Sequence, residues 1–169
     1  MADNRSEITK KLLAYGFTAA VALSGGYLIA PNEGKVNATY LDPINIKTSC
    51  YGHTGPELKL GQKFTDAQCL DQLAKDLSEH DKQMMNLIRV PITDYQHAAF
   101  LSFTYNAGVG NFKNSTMLRK LNSKDYRGAC EQLTNWVFAQ GKKLKGLVNR
   151  REQEMAMCLG ETKIEIVPS

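Results

Sequence analysis

Hydrophobic positions are spread unevenly along this chain. From Leu12 to Ala30 runs LLAYGFTAAVALSGGYLIA, nineteen residues without a charge. As one helix it would reach roughly 28 Å, close to the hydrocarbon thickness of a bilayer. Arg5, Lys10 and Lys11 precede it; Pro31 and Glu33 follow. Positive charge stays on the cytoplasmic side, so the rest of the chain is expected outside. A cleaved signal peptide fits less well: the only A-x-A-like site, Ala20-Val21-Ala22, leaves a short apolar core. A buried helix of a soluble protein is a third reading. The uncleaved anchor fits best, and it is a weak one. Gly16, Gly25, Gly26, Thr18, Ser24 and five alanines dilute its Leu, Ile, Phe and Val.

Beyond the segment, 33–54 is turn-rich. It predicts a short helical start, then strands at 39–41 and 46–51 joined by a turn at Asp42-Pro43-Ile44-Asn45. Thr65 with Gln68 reads as a capping box opening a helix to about Leu77, and a second helix follows from His80 to Ile88. Thr93 or Asp94 opens the next, through Tyr105, with Ala98, Leu101 and Phe103 inward; Gly108 and Gly110 end it. Ser115-Thr116 caps a short helix to Leu121. Ser123 or Asp125 opens one to Ala139, burying Ala129, Leu133, Trp136 and Val137. The last spans 147–159. The order predicts an α+β fold with a small β-containing lobe before a helical one.

The 169 residues suffice for one cored domain, and 22% charged with 43% hydrophobic is ordinary globular composition. Disorder and a multi-span membrane protein are excluded. The mean hydropathy of -0.35 blends the apolar segment with the remainder. A net charge of +4 is too small to argue for nucleic acid. Cys50, Cys69, Cys130 and Cys158 all lie past the segment. Two disulfides suit an exported domain; local pairing is the economical choice among three connectivities, and four buried thiols are the alternative. The scattered His53, His80 and His97, with no C-x-x-C or H-E-x-x-H, argue against zinc.

Glu33 and Asp42 are a pair of carboxyl groups of the kind glycosidic cleavage uses. One donates a proton to the leaving oxygen, the other stabilises positive charge or directs water, and Thr48 could hold that water. Any surface hairpin can hold a Glu and an Asp, so the spacing matters more. Glu33-Gly34, Asp42 nine residues on, Thr48 six further and Gly52-His53 resemble the motif of the phage T4-type lysozymes, glycoside hydrolase family 24. Tyr105-Asn106-Ala107-Gly108, Phe112 to Thr116, Trp136 and Gly146 to Arg151 extend the resemblance. Where the family has T-x-G-x-G-H, Cys50 stands for the first glycine, and Asn45 replaces a glycine in the turn.

The resemblance implies a lysozyme-like fold with Glu33 as general acid, Asp42 stabilising the transition state and Thr48 holding water. It implies an inverting hydrolysis of peptidoglycan glycan strands without metal or cofactor. Arg150 would pair with Glu33, while His53, Tyr105 and Asn106 would line the cleft. The residues alone leave other readings: His53 closing its hairpin, Trp136 in the core, and Lys142, Lys143 and Lys145 as a solvated loop. A membrane-anchored wall-binding protein, a transglycosylase and a metalloamidase are the competing functions. The weak segment resembles that of signal-arrest-release endolysins, which implies that residues 1–30 form an inner-membrane anchor and 31–169 the muramidase domain. The enzyme would be a monomer, inactive while tethered, because Glu33 lies three residues past the span.

Overall fold

In the computed structural model, which describes residues 4–162 and 164, the apolar segment is not one helix. Helix α1 (Asn4–Ala14) ends in a turn where Gly16 adopts a φ of +94°. Helix α2 (Ala19–Leu23) starts on Thr18, whose hydroxyl accepts from the Val21 amide; a π-helical stretch (Ser24–Ile29) and α3 (Ala30–Glu33) continue it. This corrects the expected single apolar helix, broken by Gly16 in its left-handed conformation and by the Thr18 cap. Among the described residues no helix is long and apolar enough to cross a membrane. The expected domain end at Ser169 lies outside the described residues.

The segment is interior all the same. Leu12, Val21, Ala22, Leu23, Leu28 and Ile29 are each 3% exposed or less. Each large aliphatic side chain so buried contributes about 1.5–3 kcal/mol. Small residues permit the docking. A Cβ on Gly25 would come within 2.9 Å of Leu77 Cδ1, and one on Gly26 would overlap Thr9 Oγ1 and lie 2.8 Å from the Arg5 carbonyl. Ser24 Oγ donates to the Ala98 carbonyl at 2.7 Å, satisfying a hydroxyl that burial would otherwise leave unpaired.

Three strands follow, β1 (Val36–Leu41), β2 (Lys47–Cys50) and β3 (His53–Thr54), in an antiparallel sheet of order β1-β2-β3. The register pairs Tyr40 with Thr48 and Thr48 with Thr54, with a bulge between Val36 and Tyr40. Directly opposed residues share a face, so Tyr40, Thr48 and Thr54 form one row across the sheet. The two glycine replacements both take left-handed backbone: Asn45 at φ +64° and Cys50 at φ +55°. Asparagine tolerates this; for a cysteine the conformation costs about 1–2 kcal/mol. Cys50 is tied to Cys69 by a disulfide, which couples β2 to the next helix.

That helix, α4 (Asp66–Met85), carries the expected capping box on Thr65 and Gln68. It is one helix rather than two. No Gly or Pro interrupts 78–80, and Cys69, Leu73, Leu77 and Met84 continue one buried stripe. Helix α5 (Asp94–Ala107) is capped by Thr93 with Gln96 and ends on Gly108. Residues 98–104 of it are buried on every side, which makes it the central helix. Helices α6 (Val109–Lys113) and α7 (Thr116–Asn122), the latter capped by Ser115, lead to α8 (Tyr126–Gln132) on its Asp125 cap.

The helix expected to reach Ala139 stops at Gln132. A 3₁₀ turn (Leu133–Asn135) and a hairpin of β4 (Phe138–Ala139) and β5 (Lys142–Lys143) replace its last two turns. Gln140 and Gly141, both at positive φ, make the tight turn that a helix cannot hold. Helix α9 (Lys145–Cys158) packs along α5, and a disulfide from Cys158 to Cys130 ties it to α8. The architecture is α+β, with the sheet lobe leading from Glu33 into a helical body. Both disulfides are the local ones.

Candidate active site

The end of α3 carries Glu33 to the junction of sheet and helices, where Gly34 at φ +70° turns the chain into the sheet. A cleft of about 430 Å³ opens there, lined by Glu33, Gly52, Thr54, Asp76, Glu79, His80, Tyr105 and Asn106. The Glu33 side chain is 21% exposed and its Oε1 accepts from Arg150 Nη1 at 2.7 Å. The other oxygen, Oε2, faces Gly52. A Cβ there would sit 2.7 Å from Oε2 and 3.2 Å from Cδ. Gly52 therefore supplies both the left-handed turn, φ +75°, and the room for the carboxylate.

Arg150 belongs to a buried set of alternating charges. Its Nε lies 3.4 Å from Glu154 Oε2 and its Nη2 donates to the Ser102 carbonyl at 3.3 Å. Arg151 Nη1 donates to Glu154 Oε1 at 2.6 Å, and Ser102 Oγ donates to Glu154 Oε2 at 2.5 Å. Arg151 also donates to the Trp136 carbonyl at 3.1 Å and to Asn106 Oδ1, with its guanidinium 4.9 Å from the centre of the Phe103 ring. Burial pushes the Glu154 carboxyl up and the Arg151 guanidinium down, each opposed by the other's charge. Two cations thus face two carboxylates, Glu33 and Glu154, so that neither arginine is buried uncompensated.

Asn106 spends its carbonyl oxygen on Arg151, which leaves its NH₂ as the group it offers to the cleft. Tyr105 Oη donates to the Tyr51 carbonyl at 2.8 Å, bracing α5 against the sheet lobe, and its ring meets that of His80 at 5.0 Å. Burial holds the Tyr105 phenol well above its ordinary range, so it remains a donor.

Asp42 and Thr48 lie on the β1–β2 hairpin, outside the set of residues lining the cleft. Asp42 Oδ1 accepts from the amides of Ile44 at 2.9 Å and Ile46 at 2.8 Å, so its own turn orients the carboxylate. Thr48, 5% exposed, donates to the Ile46 carbonyl at 3.0 Å and keeps its oxygen as an acceptor. Its row partner Thr54 lines the cleft, which sets the Tyr40–Thr48–Thr54 face on that side. The Tyr40 phenol is pushed up by burial and then by the charges of Glu33 and Asp42, so one side chain feels both carboxylates.

His53 does not line the cleft. Its Nδ1 bonds Asp76 Oδ2 at 2.8 Å and its Nε2 bonds Glu57 Oε1 at 2.7 Å. It clamps β3 to α4 through carboxylates rather than through a backbone bond. Burial opposes a charged ring here, but the bonds to Glu57 and Asp76 outweigh it and raise the imidazole above its usual value. Trp136 is half-buried, edge-on to Phe103 at 5.3 Å, and belongs to the core. Lys142, Lys143 and Lys145 are exposed.

Sequence reasoning missed Tyr40, Thr54, Asp76, Glu79, His80 and Glu154, and it gave Gly52 and Arg151 no role beyond their place in the motif. Glu154 had a signal: it stands four residues after Arg150 and three before Met157, on the buried face of α9. Asp76 and His80 had none, because α4 was divided between them.

Residues 30–154 match the phage lysozyme family. The SAR-endolysin of Escherichia phage Mu is 46% identical over 158 residues, 89% of this chain and 92% of that protein. The SAR-endolysin of Bacteriophage PS119 is 41% identical, covering 83% and 87%. Among solved structures, the endolysin from Escherichia coli O157:H7 phage FAHEc1 superposes with a TM-score of 0.75 at 29% identity, over 84% of this chain and 94% of the other. The active form of P1 phage endolysin Lyz shares the fold, at a TM-score of 0.83 and 21% identity over 93% and 94%. The chain belongs to the phage lysozyme family and is a glycoside hydrolase of the lysozyme type.

Proposed function

We propose that this protein is a phage endolysin hydrolysing the β-1,4 linkages between N-acetylmuramic acid and N-acetylglucosamine in peptidoglycan. The carrying observation is the Glu33 carboxyl, fixed through Oε1 by Arg150 and presented through Oε2 beside Gly52 at the cleft. Glu33 Oε2 carries the proton delivered to the leaving sugar oxygen. Asp42, pre-oriented by its turn amides, stabilises the oxocarbenium-like charge, and Thr48 accepts a hydrogen bond from the water that attacks the opposite face. Tyr105 and Asn106 hold the glycan, His53 supports the hairpin, and no metal or cofactor takes part. The water attack inverts the anomeric centre.

Residues 1–30 act as a releasable inner-membrane anchor for the periplasmic domain, 31–169. Ala30 and Glu33 lie in the same short helix α3. Holding Ala30 in lipid therefore holds Glu33 away from Arg150 and leaves the cleft incomplete. On release the 12–30 segment docks on α5 as it does in this structure, with Ser24 on Ala98 and Glu33 on Arg150. The test is fractionation of full-length protein before and after depolarisation, with lytic activity measured in each fraction. Inactive membrane protein followed by active periplasmic protein is expected. Full activity in the membrane fraction would refute the tether as an off switch.

A further inference from the structure

The chain past α9 returns to the segment that ends in Glu33. Gly160 takes a φ of +75°, and the amides of Glu161 and Thr162 both donate to the Ala156 carbonyl, at 2.8 and 3.3 Å. Ile164 then reaches the start of α5. The Tyr95 hydroxyl donates to the Ile164 carbonyl at 3.1 Å and accepts from the Ile164 amide at 3.0 Å, so one phenol satisfies both polar groups of one residue. The Ile164 side chain packs on a cluster of Leu23, Leu28, Ala98 and Met157, separate from the main core, with Tyr27 and Tyr95 beside it. It also forms the shared wall of two cavities of about 300 and 240 Å³ that flank the cluster.

We infer that Ile164 and Tyr95 form a latch over the docked apolar segment, and so hold the helical run from Ala19 to Glu33 in its active position. Leu23 and Leu28 are half of the latch's buried floor. That floor exists only when the segment has docked on α5, because Ala98 and Met157 belong to the body and Leu23 and Leu28 to the segment. Closing the latch therefore follows docking and opposes the segment's return to lipid. This role in activation rests on the tether reading above; the latch on the folded enzyme does not.

Amide hydrogen exchange on the purified full-length enzyme tests it, with Tyr95→Phe and Ile164→Asp as variants and Ile164→Val as the conservative control. Amides of 20–29 are expected to exchange at least tenfold faster in the first two variants, with α4 amides as protected as in the parent and Ile164→Val unchanged. Unaltered exchange over 20–29 would overturn the latch. So would equal acceleration in α4, which would make the contact one of general stability. Because this readout needs neither membrane nor lysis, it succeeds or fails independently of the fractionation experiment.

Discussion

Gly52→Ala separates the placement of the Glu33 carboxyl from the stability of the fold. At φ +75° an alanine costs about 1–2 kcal/mol of backbone strain. For a domain of this size that lowers Tm by about 2–8 °C. Its Cβ would also lie 2.7 Å from Glu33 Oε2, inside van der Waals contact, so the carboxyl must shift away from Gly52. A misplacement of about 1 Å at a reacting group costs about 10²-fold in rate, so a loss of about 10- to 100-fold is expected. Gly61→Ala is the matched control. Gly61 has a φ of +78°, and a Cβ there meets nothing within 4 Å. The assay is the initial rate of peptidoglycan clearing at a temperature well below both transitions, beside thermal denaturation of each variant. Both variants should lose similar stability, and only Gly52→Ala should lose rate. Equal rates in the two variants would refute the claim that Gly52 exists to place Glu33.

Arg150→Ala should cost about 1–3 kcal/mol in urea denaturation, because Glu33 loses its partner while Glu154, at 0% exposure, keeps only Arg151 and Ser102. His53→Asn should show a pH-dependent loss. The clamp raises the imidazole above its unfolded value of about 6.5, so its charge contribution is complete below that pH and is lost as pH rises through the folded value. The Tm gap between parent and His53→Asn should be widest near pH 5.5 and narrow toward pH 9; a gap that widens with pH would contradict the charged clamp. If 12–30 is an anchor, Gly26→Leu strengthens it but also collides with Thr9 and Arg5, so delayed lysis in that variant has two causes. Ala14→Leu avoids the collision, since Ala14 is exposed in the docked fold; lysis onset should be delayed while the purified enzyme keeps its activity.

Local signals located much of this molecule. The capping box at Thr65 and the cap at Ser115 are set by neighbours three residues away and stand where the pattern put them, while Thr93 and Asp125 are each one of two starts that the pattern left open. The Glu33–Arg150 pair was legible through the family motif, since the two residues lie 117 positions apart and no local rule joins them. The uncharged stretch from 12 to 30 fits a span best by length, and its packing in the folded form is decided by the surface of α5, which no local signal shows. One signal misled. Ala129, Leu133, Trp136 and Val137 read as one helix face, although Gln140-Gly141 carried the turn that makes 138–143 a hairpin. The clamp of His53 by Asp76 and Glu57 was invisible because it joins a two-residue strand to the middle of a helix.

The central claim is that Glu33 is the general acid of a muramidase. The most direct test digests purified peptidoglycan with the released parent enzyme and with Glu33→Gln, and identifies the products by mass spectrometry. The glutamine keeps the shape of the site and an acceptor for Arg150 but has no proton to give. The parent should release muropeptides with hydrated reducing ends, and Glu33→Gln should release essentially none while folding normally. Muropeptide release by Glu33→Gln at near-parent rates would contradict the assignment, and 1,6-anhydro ends from the parent would contradict hydrolysis.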